Sequence, residues 1–240
     1  MIAVIVPIYN TEKYLRETID SVICQTLSFA EHIRLILLDD ASTDGSFAIC
    51  EQYQKQYPKQ ILVKHYDTNQ GVSALRNEGV RIAGEMGDEL ITFLDSDDKL
   101  ADDAMEKAVQ YFDAHEDVFV AAIGIRYFDA YEGEQRLNWR FEKTDVVDIK
   151  KDYTYPHYYV GGVFLRHAVL DELHFDESLS FWEDALAVNQ VIVSQGKYGL
   201  IAGTHYYYRK REDESSLVDT AWHKKERYTT LLSSGYGQLF

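Results

Sequence analysis

Between residues 2 and 115, four short apolar runs alternate with four stretches of helical period, and this alternation limits the fold more than any other feature of the chain. Ile2 to Val6, Arg34 to Leu38, Ile61 to Tyr66 and Leu90 to Leu94 have the length and composition of buried strands. Thr11 to Gln25 sets Leu15, Ile19, Val22 and Ile23 at helical spacing, and Ser46 to Tyr57 does the same with Ile49, Cys50, Tyr53 and Tyr57 before Pro58. Val72 to Ala83 turns Leu75 and Ile82 inward, and Ala101 to His115 aligns Ala104, Met105, Ala108, Val109 and Phe112. A βαβαβαβα order predicts an α/β protein with a mostly parallel sheet covered on both faces, whose ligands bind beyond the carboxyl ends of the strands. Those ends are polar in every case: Pro7, Tyr9 and Asn10, then Asp39 and Asp40, then Asp67, Asn69 and Gln70, then Asp95, Asp97 and Asp98.

The last of these ends carries the strongest chemical signal. In ITFLDSDDKL, a buried run delivers three carboxylates to one point, where they repel each other and lose hydration unless a cation neutralises them. Hard divalent ions such as Mn²⁺ or Mg²⁺ take such oxygen ligands and keep positions for water and phosphate, so a nucleoside diphosphate is the natural further ligand. The plain alternative is a polar turn capping the helix from Ala101, but one Asp suffices for a cap.

After Asp117 the pattern becomes α+β, with strand-like runs at Val118 to Ile125 and Leu137 to Phe141 around a turn at Glu132 to Glu134. A short helix is expected over Val163 to Leu173, a clearer one over Glu183 to Ser194, and a strand over Tyr198 to Tyr208. Tyr153, Tyr155, Tyr158, Tyr159, Phe181 and Trp182 fit either a platform for an acceptor sugar or core packing. In the tail, Trp222, Tyr228, Leu231 and Leu232 form a partly apolar helical face, expected to pack on further parts of a longer chain or on a second copy.

Of the 240 residues, 40 are Asp or Glu against 24 Lys or Arg, and the net charge of −16 argues against a nucleic-acid partner. A nucleotide ligand stays compatible, because a bound divalent ion and a few placed cations invert the local field. Cys24 and Cys50 both fall in helical patterns and are expected as buried thiols of a reducing compartment. No run approaches the roughly 18 apolar residues of a membrane span, and Ile2 to Val6 lacks the marks of a signal peptide. A cytoplasmic site of action is expected, with peripheral association at the inner face of the membrane left open. GxGxxG after the first strand, GxxxxGK[ST] and HExxH are absent, which weighs against a dinucleotide oxidoreductase, a P-loop NTPase and a zinc hydrolase. Gly45 and Gly71 stand where the chain turns into helices, and backbone freedom explains them.

Five blocks in order, VIVPIYN at Val4 to Asn10, LLDDASTDGS at Leu37 to Ser46, NQGVSALRN at Asn69 to Asn77, FLDSDD at Phe93 to Asp98 and WEDALAVN at Trp182 to Asn189, resemble the family-two nucleotide-sugar glycosyltransferases with the GT-A fold. The resemblance implies a Rossmann-like central sheet with a smaller mixed sheet on the acceptor side. Residues 1–117 would form the nucleotide-sugar-binding half, residues 118–219 the acceptor half, and residues 220–240 a C-terminal helical segment. It also implies that Pro7 and Tyr9 lie beside the nucleoside, that Asp39 contacts the base, that Asp95 lies near the ribose and Asp97 on the metal, and that Asp184 is the catalytic base. Asn69 suits a base edge, and Arg76 either reaches the ligand or faces solvent from its helix. Asp98 is a supporting partner or a cap. His205 either approaches the diphosphate or sits in a solvated loop. Glu183 and Asp184 also suit a helix N-terminus, and Glu183 competes for the base role.

The expected function is inverting, metal-dependent transfer of a sugar from a nucleoside diphosphate, UDP by preference, to a hydroxyl of a glycan or polymer. A Mg²⁺-dependent nucleotidyl- or phosphotransferase would use the same carboxylates without needing Asp184. A non-catalytic nucleotide-sugar-binding module is the alternative outside enzymes.

Overall fold

The computed structural model describes residues 1–152, 157, 159–179 and 181–211. Strands β1 (Ile2–Ile8), β2 (Ile33–Asp39), β3 (Ile61–His65) and β4 (Leu90–Phe93) run parallel in the spatial order β3-β2-β1-β4. The first two crossovers build outward from β1 in one direction and the third places β4 on its other side, so the strand order reverses at β1. Open α/β sheets form their ligand crevice at such a reversal. All seven residues of β1 are buried, and this explains its unbroken apolar sequence.

Helices α1 (Leu15–Ile23), α3 (Ser46–Gln56) and α5 (Ala104–Ala114) cover one face, packing Ile19, Ile49, Cys50, Met105 and Phe112 against Val4, Val6, Leu35 and Leu37. Helices α4 (Val72–Glu85) and α6 (Glu183–Gln195) cover the other, packing Leu75, Ala83, Val188 and Val191 against Ala3, Ile5, Ile36 and Leu38. Alternate residues of β1 and β2 thus serve opposite cores. A single turn, α2 (Phe29–His32), leads into β2.

The mixed region continues the same sheet. Next to β4 comes antiparallel β9 (Val163–Arg166), then β6 (Val120–Asp129), then β10 (Lys197–Lys210), which runs parallel to β6. Two-residue β5 (Lys99–Leu100) closes this end against β10, while β7 (Gly133–Glu134) and β8 (Asp145–Asp148) pair with β6 and β10.

Three expectations change. Leu137 to Phe141 is a 3₁₀ turn over Asn138–Phe141 and not a strand. The Asn138 side chain takes the hydrogen bonds a neighbouring strand would supply, donating to the Ile125 carbonyl at 2.7 Å and accepting from the Ile125 N–H at 3.0 Å. Val163 to Leu173 divides into β9, inserted between β4 and β6, and a 3₁₀ turn over His167–Glu172. Cys50 is buried, whereas Cys24 ends α1 and is exposed. Tyr153, Tyr155, Tyr158 and the segment 220–240 lie outside the described residues. Among the described residues no helix is long and apolar enough to cross a membrane.

Candidate active site

Because β1 lies between β2 and β4 and all three are parallel, the strand ends bearing Tyr9, Asp39 and Asp95 fall side by side on one edge. Pro7 is buried within β1 opposite Leu38, and Tyr9 is the first residue beyond it to reach solvent, 52% exposed. The next residue, Asn10, takes a positive φ and ties the loop to the one after β2: its N–H donates to Ser42 Oγ at 3.0 Å and its Oδ1 accepts from the Thr43 N–H at 2.8 Å.

Asp39 is completely buried at the end of β2. Its Oδ2 accepts from His65 Nδ1 at 2.7 Å and from the Ser42 N–H at 3.3 Å, while its Oδ1 has no hydrogen-bond partner. The contact suits the His65 tautomer that donates from Nδ1, with the Asp39 oxygen accepting. A buried acceptor without a donor is costly unless a ligand supplies one, and the imide N–H of a uracil is such a donor. Asp40 acts differently: its two oxygens accept from the N–H groups of Gln70 at 2.6 Å and Gly71 at 2.9 Å, fixing the entry to α4. Asn69 is exposed in that loop, its amide 3.4 Å from the Asp40 carbonyl.

The three clustered carboxylates beyond β4 part company. Asp95 pairs with Arg76 Nη2 at 3.1 Å, and its N–H donates to the Tyr206 hydroxyl at 3.1 Å. Asp97 accepts through Oδ2 from Arg211 Nε and Nη2 at 2.9 and 2.6 Å. Asp98 is buried, accepting from the Tyr206 hydroxyl at 2.8 Å and the Arg209 N–H at 2.7 Å. Burial and the neighbouring carboxylates hold the Asp98 carboxyl well above its ordinary range; burial raises Asp97 too, against the opposing pull of Arg211. None of the three caps a helix, since α5 starts after Asp103. Arg76 and Arg211 supply positive charge to Asp95 and Asp97, while Asp98 receives only neutral donors, the Tyr206 hydroxyl and the Arg209 N–H.

Among the described residues, no three His, Cys, Asp or Glu side chains are grouped to hold a metal ion. Asp97 is half-buried and already binds a cationic group. One carboxylate of this kind fits an ion held chiefly by a diphosphate and water, the usual mode of Mg²⁺ beside phosphates, and not a cage built by protein alone.

Arg76 does not face solvent. Its side chain is 6% exposed, and Nη1 donates to Glu183 Oε1 at 2.9 Å while Nη2 holds Asp95, so both ends of the guanidinium are committed to protein. Trp182, with a left-handed φ of 66°, turns the chain into α6 and sets Glu183 and Asp184 on its first turn. Asp184 is half-buried, and among the described residues its only hydrogen bond is from the N–H of Ala185 at 2.7 Å. Burial, together with the neighbouring Glu183 and against the opposing pull of Arg76, pushes its carboxyl up to about 7. A half-open carboxyl that titrates near neutrality suits a general base.

The structure thus brings Arg76, Asp95 and Asp184 together and places Asp97 on the same loop as Asp95. Asp39 and Asn69 lie on the neighbouring loops with Tyr9. His205 is half-buried on β10, its carbonyl accepting from the Ala101 N–H at 2.9 Å. Sequence reasoning missed His65, Tyr206, Arg209 and Arg211 as partners of the site. Arg209 Nε donates to the Asp97 carbonyl at 2.6 Å, and the basic run at 209–211 was the available signal.

A parallel sheet reversed at β1, with carboxylates gathered at its strand ends, is the layout of the GT-A glycosyltransferase architecture. Residues 3–174 match the family described as "Glycosyl transferase family 2", and the chain belongs to it. It is 43% identical over 238 residues to the minor teichoic acid biosynthesis protein GgaA of Bacillus subtilis, covering 98% of this chain and 53% of that protein. It is 27% identical over 219 residues to the poly(ribitol-phosphate) beta-glucosyltransferase of Bacillus spizizenii, covering 88% and 32%. The chain therefore spans about half the length of the first relative and a third of the second. Among solved structures, S. aureus TarS 1-349 in complex with UDP-GlcNAc superposes with a TM-score of 0.77 at 26% identity, over 88% of this chain and 59% of that one. The mannosyltransferase PcManGT of Pyrobaculum calidifontis, in complex with GDP-Man and Mn²⁺, shares the fold, with a TM-score of 0.70 at 17% identity over 97% and 64%.

Proposed function

We propose that this chain transfers a sugar, with inversion, from a UDP-linked donor to a hydroxyl of a teichoic-acid-type polymer, on the cytoplasmic side of the membrane. The observation that carries the reading is Asp184, a half-open carboxyl pushed up to about 7 at the start of α6 and joined through Glu183 and Arg76 to the donor-side Asp95. The likeness to teichoic acid proteins and to a UDP-GlcNAc complex supports donor and acceptor class.

Asp39 Oδ1 accepts from the base, with Pro7, Tyr9 and Asn69 lining the nucleoside and Asp95 the ribose. The acceptor oxygen attacks the anomeric carbon while its proton passes to Asp184. The bond from that carbon to the diphosphate oxygen breaks with its electron pair on the oxygen, and UDP leaves. A divalent ion on Asp97, Mn²⁺ or Mg²⁺, would supply positive charge to the leaving diphosphate. Asp184→Asn is expected to keep UDP affinity by calorimetry while transfer falls by about 10²-fold or more, the usual weight of a general base. Transfer near the wild-type rate, or donor affinity lost together with it, would remove Asp184 from this role.

A further inference from the structure

Resting on that reading of Asp184, we propose that the Glu183–Arg76–Asp95 bridge governs the acceptor base: Arg76 and Glu183 are positioning residues, Arg76 favouring the charged form of Asp184 and Glu183 opposing it. The geometry is unusual for an ion pair that merely holds a fold together. Arg76 projects from α4 into a space where it is 6% exposed, and its two terminal nitrogens bind carboxylates on different elements, one beyond β4 and one on α6. Its Nε is buried without a hydrogen-bond partner, and the guanidinium lies 5.6 Å over the Phe175 ring. A structural pair needs one acid. Here one cation serves two bonded acids, and a third acid, Asp184, stands next to Glu183 with no cation of its own among the described residues.

Among the described residues, charged and titratable groups from several elements bear on Asp184. Glu183 comes from its own helix, Arg76 from α4, Asp95 from the end of β4, and the Tyr159 hydroxyl from the segment before β9. Glu183 and Asp95 disfavour its negative charge and Arg76 favours it, so charge removed at either end of the Glu183–Arg76 contact moves the ionisation of Asp184 in a sign fixed beforehand. A role confined to packing predicts no such pair of opposite signs.

The test is the pH dependence of kcat for the 240-residue chain with a UDP-sugar donor and a soluble acceptor. The wild-type rate is expected to fall on the acid side with a midpoint near 7, where Asp184 takes up its proton. Glu183→Gln, which keeps an acceptor for Arg76 but loses the charge, should move the midpoint down by about one pH unit, giving roughly a fivefold larger fraction of plateau rate at about pH 6. Arg76→Gln should move it up by a similar amount, and Arg76→Lys should bring it back toward the wild type. Profiles of Glu183→Gln and Arg76→Gln that overlay the wild type, with Asp184→Asn inactive, would overturn the coupling and leave the base in place. An active Asp184→Asn would remove the base, and the coupling with it. Should Arg76→Gln show no cooperative unfolding transition, the profile of Glu183→Gln decides alone: a downward shift upholds the proposal and an unmoved midpoint sinks it.

Discussion

At the scale of single residues, the groups that make the site useful also make it costly to fold. Asp184 has an ordinary value of 3.8 and is raised to about 7 in the folded chain. Between those limits the folded state binds the more protons, so stability falls as pH rises through that window. An Asn at the same place carries no charge at any pH. Asp184→Asn is therefore expected to be more stable than the wild type above pH 7, by on the order of 1–3 kcal/mol, with the gap closing toward pH 4. Thermal unfolding of the two proteins at about pH 4.5 and 8 measures this, and equal differences in Tm at both values would mean that Asp184 carries no such strain. Asp39 shows the same conflict without titration, since its buried Oδ1 is left without a donor.

At the scale of elements, close backbone approach sets the crossing of α4 on β1. A Cβ added to Gly79 would stand 2.3 Å from Ile5 Cγ2, in the middle of a strand that has no room to move. Helix propensity alone favours Gly79→Ala by about 1 kcal/mol, whereas overpacking of a core costs ~1–3 kcal/mol. The expected outcome is net destabilisation, read as a lowered Tm, and a gain in Tm would show that α4 slides freely on the sheet. The parallel half was readable because β1 to β4 are continuous apolar runs and their ends carry the carboxylates and amides of the site. What one sequence hides is pairing at long range. Arg209 and Arg211 meet Asp97 across 112 and 114 residues, and nothing local to either segment announces it. For the same reason the short helix expected over Val163 to Leu173 begins instead as a strand, because β4 and β6 leave a slot for Val163–Arg166. Asn138 was equally opaque, since a single amide replacing a strand neighbour leaves no periodic trace.

At the scale of the whole molecule, charge and the proposed acceptor oppose each other. The chain carries a net charge of −16, and in the cleft Arg76, Arg209 and Arg211 are each tied to carboxylates. A phosphate-bearing polymer thus approaches a chain of its own sign, and among the described residues these three arginines are already engaged with carboxylates. Such repulsion acts over the screening length, which shrinks from roughly 20 Å to 7 Å between about 20 and 200 mM salt. For this 240-residue chain, kcat/KM toward a poly(polyol-phosphate) acceptor should rise over that range, while kcat/KM toward a short uncharged acceptor stays flat. The donor should be saturating, so that its own charge does not enter the comparison. The sign is the informative part, because proteins that hold polyanions on a basic track lose affinity steeply with salt. A fall in kcat/KM with the polymer would place a cationic acceptor track on this chain and overturn the repulsive picture. A rise would mean that recognition here is short-range, made at the reacting hydroxyl beside Asp184 and not along the polymer's phosphates.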